Sequence, residues 1–291
     1  MVPSRTLTAA VMVAFLAAGV MAADAAAPVA RHGSAAPVYI SLGDSLAAGM
    51  QPDSKGVDHP TDEGYASVVG SRLAKVYPGL QTRRLSCGGA RTGSLMSGGS
   101  SCQRRDEPSQ LVQAERLMAT SQVPVVTVNI GDNDVEGCID VNPPAVDTGC
   151  ISRGRSDIAR NLPLIARRLK AAAGPRTAVV GILDYDQFLA LYREGPAGRQ
   201  VARRSVRIIL SMNALMASIY RREGVLVADA TPAFATTDLH TMRDGLPLAV
   251  DRVCSWTWAC SPPPIGHDDH AKAQGYRVIA QAVLDALERG P

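Results

Sequence analysis

The segment Val38-Tyr39-Ile40-Ser41-Leu42-Gly43-Asp44-Ser45-Leu46-Ala47-Ala48-Gly49 constrains this chain more than any other. A short β-branched and apolar run stops at a glycine, and an acid, a serine and a string of small helix-forming residues follow. That order describes a strand, a tight turn and the start of a helix. It places the Ser45 hydroxyl at the C-terminal edge of a strand, the edge at which open parallel sheets bind their ligands. A nucleophile needs exposure, a fixed position and nearby N–H dipoles, and such a turn supplies all three. The plainer reading is that Ser45 caps the helix, since Ser and Asp are common caps.

The rest of the chain repeats the alternation. Strands are expected over Val38–Leu42, Thr82–Ser86, Val123–Ile130, Thr177–Leu183 and Val225–Asp229. Helices are expected over Tyr65–Val76, Ser109–Thr120, Ser156–Ala173, Gln200–Glu223 and Lys272–Glu288. Strands that are apolar on both faces and alternate with helices indicate a mainly parallel sheet covered on both sides, a three-layer α/β/α sandwich. The long connections Gly88–Pro108, Asp132–Arg155, Asp184–Gly198 and Pro232–His270 mostly follow strands, so they should gather at one end of the sheet. Loops of that length in a compact domain are usually functional.

Residues 1–27 read as an export signal: Arg5, then an apolar stretch from Leu7 to Met21, then small residues that suit cleavage after Ala22, Ala25 or Ala27. The expected organisation is this signal, a short disordered segment over 28–36 and one domain over 37–291. The stretch is short for a membrane span. The net charge of +3 is mild and its basic residues are scattered, which argues against a nucleic-acid partner. The face carrying Arg203, Arg204 and Arg207 reads as a solvated helix side.

All six cysteines fall after the signal, and an even count in an exported chain points to disulfides. The spacings suggest sequential pairs, Cys87–Cys102, Cys138–Cys150 and Cys254–Cys260, although other connectivities are open. Each bridge would close a Gly-, Pro- or Ser-rich loop, contributing roughly 2–4 kcal/mol by restricting the unfolded chain. No C-x2-C spacing suggests a metal site, and Asp132, Asp134, Asp140 and Asp147 lack the spacing of a calcium loop. No metal and no organic cofactor is expected.

Three further segments sit where strands should end. Leu85-Ser86-Cys87-Gly88-Gly89-Ala90-Arg91-Thr92 carries paired glycines that let a backbone N–H approach a ligand closely. Asn129-Ile130-Gly131-Asp132-Asn133-Asp134 offers an amide donor at Asn133. Gly266-His267-Asp268-Asp269-His270 precedes the last helix. Singly, Gly89 reads as a turn glycine and Asn133 as an Asx turn.

Gly43-Asp44-Ser45-Leu46, Gly89, Gly131-x-Asn133-Asp134 and the C-terminal Asp/His element together resemble, in order, the four blocks of the SGNH (GDSL) hydrolase superfamily. The cysteine pattern and the Trp256–Pro264 segment resemble its secreted, disulfide-bearing actinobacterial esterase and lipase branch. The resemblance implies a flavodoxin-like sandwich and a serine esterase or lipase. Ser45 would be the nucleophile and His270 the general base, with an oxyanion hole of the Ser45 and Gly89 N–H groups and the Asn133 amide. The family usually places its acid three residues before the histidine, where this chain has His267. Asp268 is therefore the expected acid, with Asp269 or a backbone carbonyl as alternatives. His267 would be the base only under a different alignment.

The implied substrate is a small-molecule or lipid ester, handled by a monomer in transient contact with a lipid interface. Phe188, Leu189, Leu191 and Tyr192 suggest apolar surface near the site and so an acyl chain. The same catalytic set serves carbohydrate O-deacetylation, and a silent envelope-binding domain is the third reading. Trp256 and Trp258 read as packing residues beside a disulfide or as lining of an acyl pocket. His32, His59 and His240 read as surface or loop histidines.

Overall fold

In a computed structural model, residues 36–290 are described, except Ser101 and Arg105. The expected export signal therefore lies outside the described residues, as does all of the 28–36 segment but Ala36. Ala35–Pro291 clusters as one compact unit.

Chain order runs β1 (Val38–Gly43), α1 (Ser45–Ala48), a small hairpin of β2 (Met50–Pro52) and β3 (Asp58–Pro60), α2 (Tyr65–Leu73) and β4 (Gln81–Arg84). Next come α3 (Thr92–Ser97), α4 (Gln110–Thr120), β5 (Val125–Asn129), a second hairpin of β6 (Ile139–Val141) and β7 (Pro144–Val146), and α5 (Thr148–Ala172). The chain ends with β8 (Ala178–Leu183), α6 (Gly195–Arg222), β9 (Leu226–Asp229), α7 (Leu248–Trp256) and α8 (Ala273–Arg289).

Five of these strands form one sheet in the order β4-β1-β5-β8-β9, every neighbouring pair parallel. Counting only sheet strands, this is the 2-1-3-4-5 order of the flavodoxin type. The order reverses between β1 and β5, and a cleft opens there because their following connections leave toward opposite faces. Ser45 follows β1 and Asn133 follows β5.

The expected three layers are present. Ile40, Leu42, Val126 and Val128 face a core shared with α4, α5 and α6. Tyr39, Val125, Val180 and Ile182 face the other core, shared with α2, α7 and α8. Strand β1 is buried along its whole length, whereas β4 is exposed throughout. Its Gln-Thr-Arg-Arg sequence puts charge on an edge strand, which discourages pairing with another chain.

The largest departure from expectation is at α5, which begins at Thr148 rather than Ser156. Asp147 caps it by accepting from the Cys150 N–H at 2.9 Å, while Gly149 and Gly154 hide its first turns from a propensity reading. Gly154 is required by packing: a Cβ there would lie 2.1 Å from the Asp134 carbonyl oxygen. Two helices inside expected loops, α3 and α7, were not foreseen. The cysteines pair sequentially, with Cα separations of 5.7 Å for Cys87–Cys102, 5.4 Å for Cys138–Cys150 and 4.9 Å for Cys254–Cys260. Among the described residues no helix is long and apolar enough to cross a membrane.

Candidate active site

Gly43 ends β1 with φ at 142°, and a Cβ there would lie 2.0 Å from the Asn129 carbonyl oxygen of β5. Only glycine allows the two strand ends to close this tightly. Its peptide groups are held from α4, since the Gly43 N–H donates to Gln110 Oε1 and Gln110 Nε2 donates to the Gly43 carbonyl, both at 2.8 Å. Asp44 is the residue that caps α1, with Oδ1 accepting from the Leu46 N–H at 3.1 Å. Ser45 is therefore not the cap. It is the first helical residue, half-buried, and its hydroxyl makes no hydrogen bond to a described residue.

Ser45 opens onto a cavity of about 330 Å³ that is also lined by Met50, Asp58, Gly88, Gly89, Cys102, Asn133, Glu136, Asp269 and His270. All four residues expected from separate strand ends, Ser45, Gly89, Asn133 and His270, thus meet in one place. Gly89 has φ at 72° and open space where a Cβ would stand. Its loop is tied on both sides. Cys87 donates its N–H to the Gly43 carbonyl at 3.0 Å and bonds Cys102. Thr92 donates its N–H and hydroxyl to Asp134 at 2.9 and 2.7 Å. Asp134 thereby joins the Gly89 loop to the Asn133 turn.

The histidine arrives by a longer route. The His270 carbonyl accepts from the Trp258 N–H at 2.9 Å, and the Asp269 carbonyl accepts from the Tyr185 hydroxyl at 2.5 Å. Three carboxylates face His270 Nδ1: Asp268 at 3.1 Å, Asp58 at 3.4 Å and Asp269 at 3.8 Å. Such partners keep the proton on Nδ1 and leave Nε2 as the acceptor. Of the expected alternatives for orienting the ring, Asp268 is the nearest, and it also accepts from the His270 N–H at 2.9 Å. His267 does not line the Ser45 cavity. It lies 3.9 Å from Glu194, and it lines a groove of about 630 Å³ with Arg193 and Pro262 and a cavity of about 60 Å³ with Glu136 and Asp269.

Acidic groups dominate the electrostatics. Burial disfavours the charged imidazole, but the Asp268 hydrogen bond and the charges of Asp269, Asp268 and Asp58 outweigh it and raise His270 to about 9. Burial likewise opposes ionisation of Asp268, yet its bond to His270 leaves its pKa lowered. Asp58 is raised to about 6 by burial and by facing Asp268, and Glu136 to about 7 by burial and the Asp269 charge. Below lies a floor of buried acids: burial raises Asp44 and Asp132 well above the usual carboxylate range and Asp184 to about 6.

The expected apolar patch is corrected. Phe188, Leu189 and Leu191 are 4%, 0% and 1% exposed, packed into the cores rather than along the Ser45 cavity. The short helical turn Gln187–Arg193 turns them inward to cover the sheet. Trp256 packs edge-on against Phe234 at 5.2 Å, and Trp258 donates its indole N–H to Gln51 at 3.2 Å. Neither lines the cavity.

The sequence reading missed Asp58, Glu136, Gln110 and Tyr185. Only Gln110 leaves a signal, as a polar residue at the start of an amphipathic helix; the others approach the site solely through tertiary folding.

Residues 41–278 match the model of the GDSL-like lipase/acylhydrolase family. No curated protein sequence matches the chain. Among solved structures, an extracellular lipase from Streptomyces rimosus is 20% identical, with a TM-score of 0.53 over 88% of this chain and 100% of that one. A lipase from a goat rumen metagenome is 15% identical, with a TM-score of 0.52 over 86% and 96%. An acetyl xylan esterase from Geobacillus stearothermophilus is 15% identical, with a TM-score of 0.50 over 89% and 97%. These three share the fold.

Proposed function

Because the chain belongs to the GDSL-like lipase/acylhydrolase family, we propose that it hydrolyses carboxylic esters through an acyl-enzyme formed on Ser45. Ser45 Oγ attacks the ester carbonyl carbon while His270 Nε2 accepts the hydroxyl proton. The tetrahedral oxyanion is held by the Ser45 and Gly89 N–H groups and the Asn133 amide. Collapse releases the alcohol, which takes the proton back from His270. Water then attacks the acyl-enzyme, with His270 again as base. Asp268 orients the imidazole and offsets its charge. The observation that carries this reading is the single cavity lined by Ser45, Gly89, Asn133 and His270.

The lining favours a short acyl group on a polar alcohol. Met50 and the Cys87–Cys102 bridge supply apolar surface, while Asp58, Asn133, Glu136 and Asp269 are polar. An acyl chain of ten or more carbons gains about 0.8 kcal/mol per buried CH₂ only where apolar walls receive it. Carbohydrate O-deacetylation is therefore the second reading, and transient lipid contact is the weaker fit. Export through residues 1–27 belongs to the same proposal, because three disulfides suit an oxidising compartment.

A fluorophosphonate probe and a p-nitrophenyl ester series from acetate to palmitate test it. Labelling at Ser45, loss of turnover in Ser45→Ala and an optimum at the short end are expected. An unlabelled wild type, as a silent envelope-binding domain would give, or full activity in Ser45→Ala overturns the mechanism. An optimum at palmitate overturns the short-acyl preference.

A further inference from the structure

Beside the ester site three acids gather, of which Asp132 and Glu136 have no part in the proposed hydrolysis; the third, Asp269, also faces His270. Asp132, Glu136 and Asp269 each bring a carboxylate oxygen within 4.8 Å of the other two. Two of them come from the turns after β5 and the third from the loop before α8, so no sequence spacing announces them. Asp132 is 5% exposed. Its Oδ2 accepts from Gln187 Nε2 at 2.9 Å, and its Oδ1 is buried without any partner. An unpartnered buried carboxylate oxygen costs free energy and calls for a donor or a cation.

None of the three forms an ion pair with Lys or Arg among the described residues; their basic neighbours are His270, 3.8 Å from Asp269, His267, which lines the same small cavity, and Arg91, whose charge reaches Glu136 without an ion-pair contact. Two further buried acids, Asp44 and Asp184, act on Asp132, and each also keeps one oxygen unpartnered. A cavity of about 60 Å³ adjoins the group, lined by the polar Glu136, Gln187, His267 and Asp269 and by apolar residues such as Phe188 and Leu191. It has room for water to complete a coordination shell.

We propose that Asp132, Glu136 and Asp269 bind one calcium-like divalent cation. The donors are all hard oxygens, which select Ca²⁺ over softer metals. Their separation fits, because oxygens on opposite sides of an ion at about 2.4 Å are about 4.8 Å apart. The orphaned Asp132 oxygen gains a partner, and water supplies the remaining ligands. The ion bridges the turn carrying Asn133 to the loop carrying His270, so it binds the two halves of the cavity wall together. This proposal goes beyond ester hydrolysis and does not require it.

The test uses the mature chain, freed of metal by chelating resin, in calorimetric and thermal-unfolding titrations with CaCl₂. One Ca²⁺ per chain and an unfolding temperature that rises with CaCl₂ are expected. Asp132→Asn and Glu136→Gln should each lose at least about tenfold in affinity, because affinity follows ligand charge. Glu136 is only half-buried, so Glu136→Gln carries the comparison should Asp132→Asn fail to fold. No binding heat and no thermal shift in the wild type up to about 10 mM CaCl₂, above the range of weak extracellular sites, overturns the proposal. So does equal affinity in the wild type and Glu136→Gln. Both readouts are independent of turnover, so a failed esterase assay leaves them interpretable.

Discussion

The two halves of the proposed ester site are built by different means. Ser45, Gly89 and Asn133 sit on short turns directly after sheet strands or their extensions, braced by Gln110 on Gly43 and Asp134 on Thr92. His270 sits at the end of a long connection that no sheet strand supports. It is fixed by tertiary contacts: the Cys254–Cys260 bridge, the Thr257–Ala271 pairing, and the bonds from Trp258 and Tyr185. Sheet topology, with these braces, positions Ser45, Gly89 and Asn133. His270 depends on packing from several distant segments, and three carboxylates face its Nδ1.

Breaking the base tests the second half most severely. His270→Ala should lower kcat by at least about 10³-fold in steady-state ester hydrolysis, since nucleophile and base act as a unit. A loss under tenfold would remove His270 from the mechanism. On the first half, Asn133→Ala should lower kcat by about 10²–10³-fold with KM little changed, the signature of a donor used in the transition state.

The carboxylates sharpen the contrast. Asp268→Asn should cost about tenfold or more in kcat, less than loss of the imidazole, because Asp58 stands 3.4 Å from the same Nδ1. Asp58→Asn alone should have a small effect, and the double variant should lose more than the product of the two singles. Simple multiplication of the single effects would show that Asp58 does not stand in for Asp268.

The smallest effect concerns stability behind the site. Asp186 is fully buried and accepts from Ser205 Oγ and the Phe188 N–H; burial outweighs these bonds and raises it to about 7. A carboxyl raised in the folded state stabilises below its unfolded pKa near 3.9, and that contribution is lost as pH rises through about 7. Asp186→Asn, which cannot ionise, should therefore gain stability relative to the wild type between pH 4 and pH 8. The gain is at most on the order of 4 kcal/mol. Urea unfolding at both pH values measures it, and a pH-independent difference would refute the assignment.

Much of the molecule was legible before folding. The runs at Val38–Gly43 and Val125–Asn129 are apolar on both faces, so burial in a parallel sheet follows from hydrophobicity alone. The Gly-Asp-Ser and Gly-x-Asn-Asp segments lie beside those strand ends, and local chain geometry carries them to the sheet edge. The start of α5 was less legible, because its first turns carry glycines that only packing against Asp134 explains. Phe188 and Leu191 were misread for a related reason: apolar character shows that a side chain is buried, but not against what.

By itself, then, the sequence determined the strand–turn–helix units, the residues at their edges and the sequential cysteine pairs, all of which depend on near neighbours. Only the tertiary structure decided which acids face His270, that Asp58 joins Asp268, and that Asp132, Glu136 and Asp269 converge. Electrostatic partnership falls off over a few ångströms of space, and chain separation carries almost no record of it.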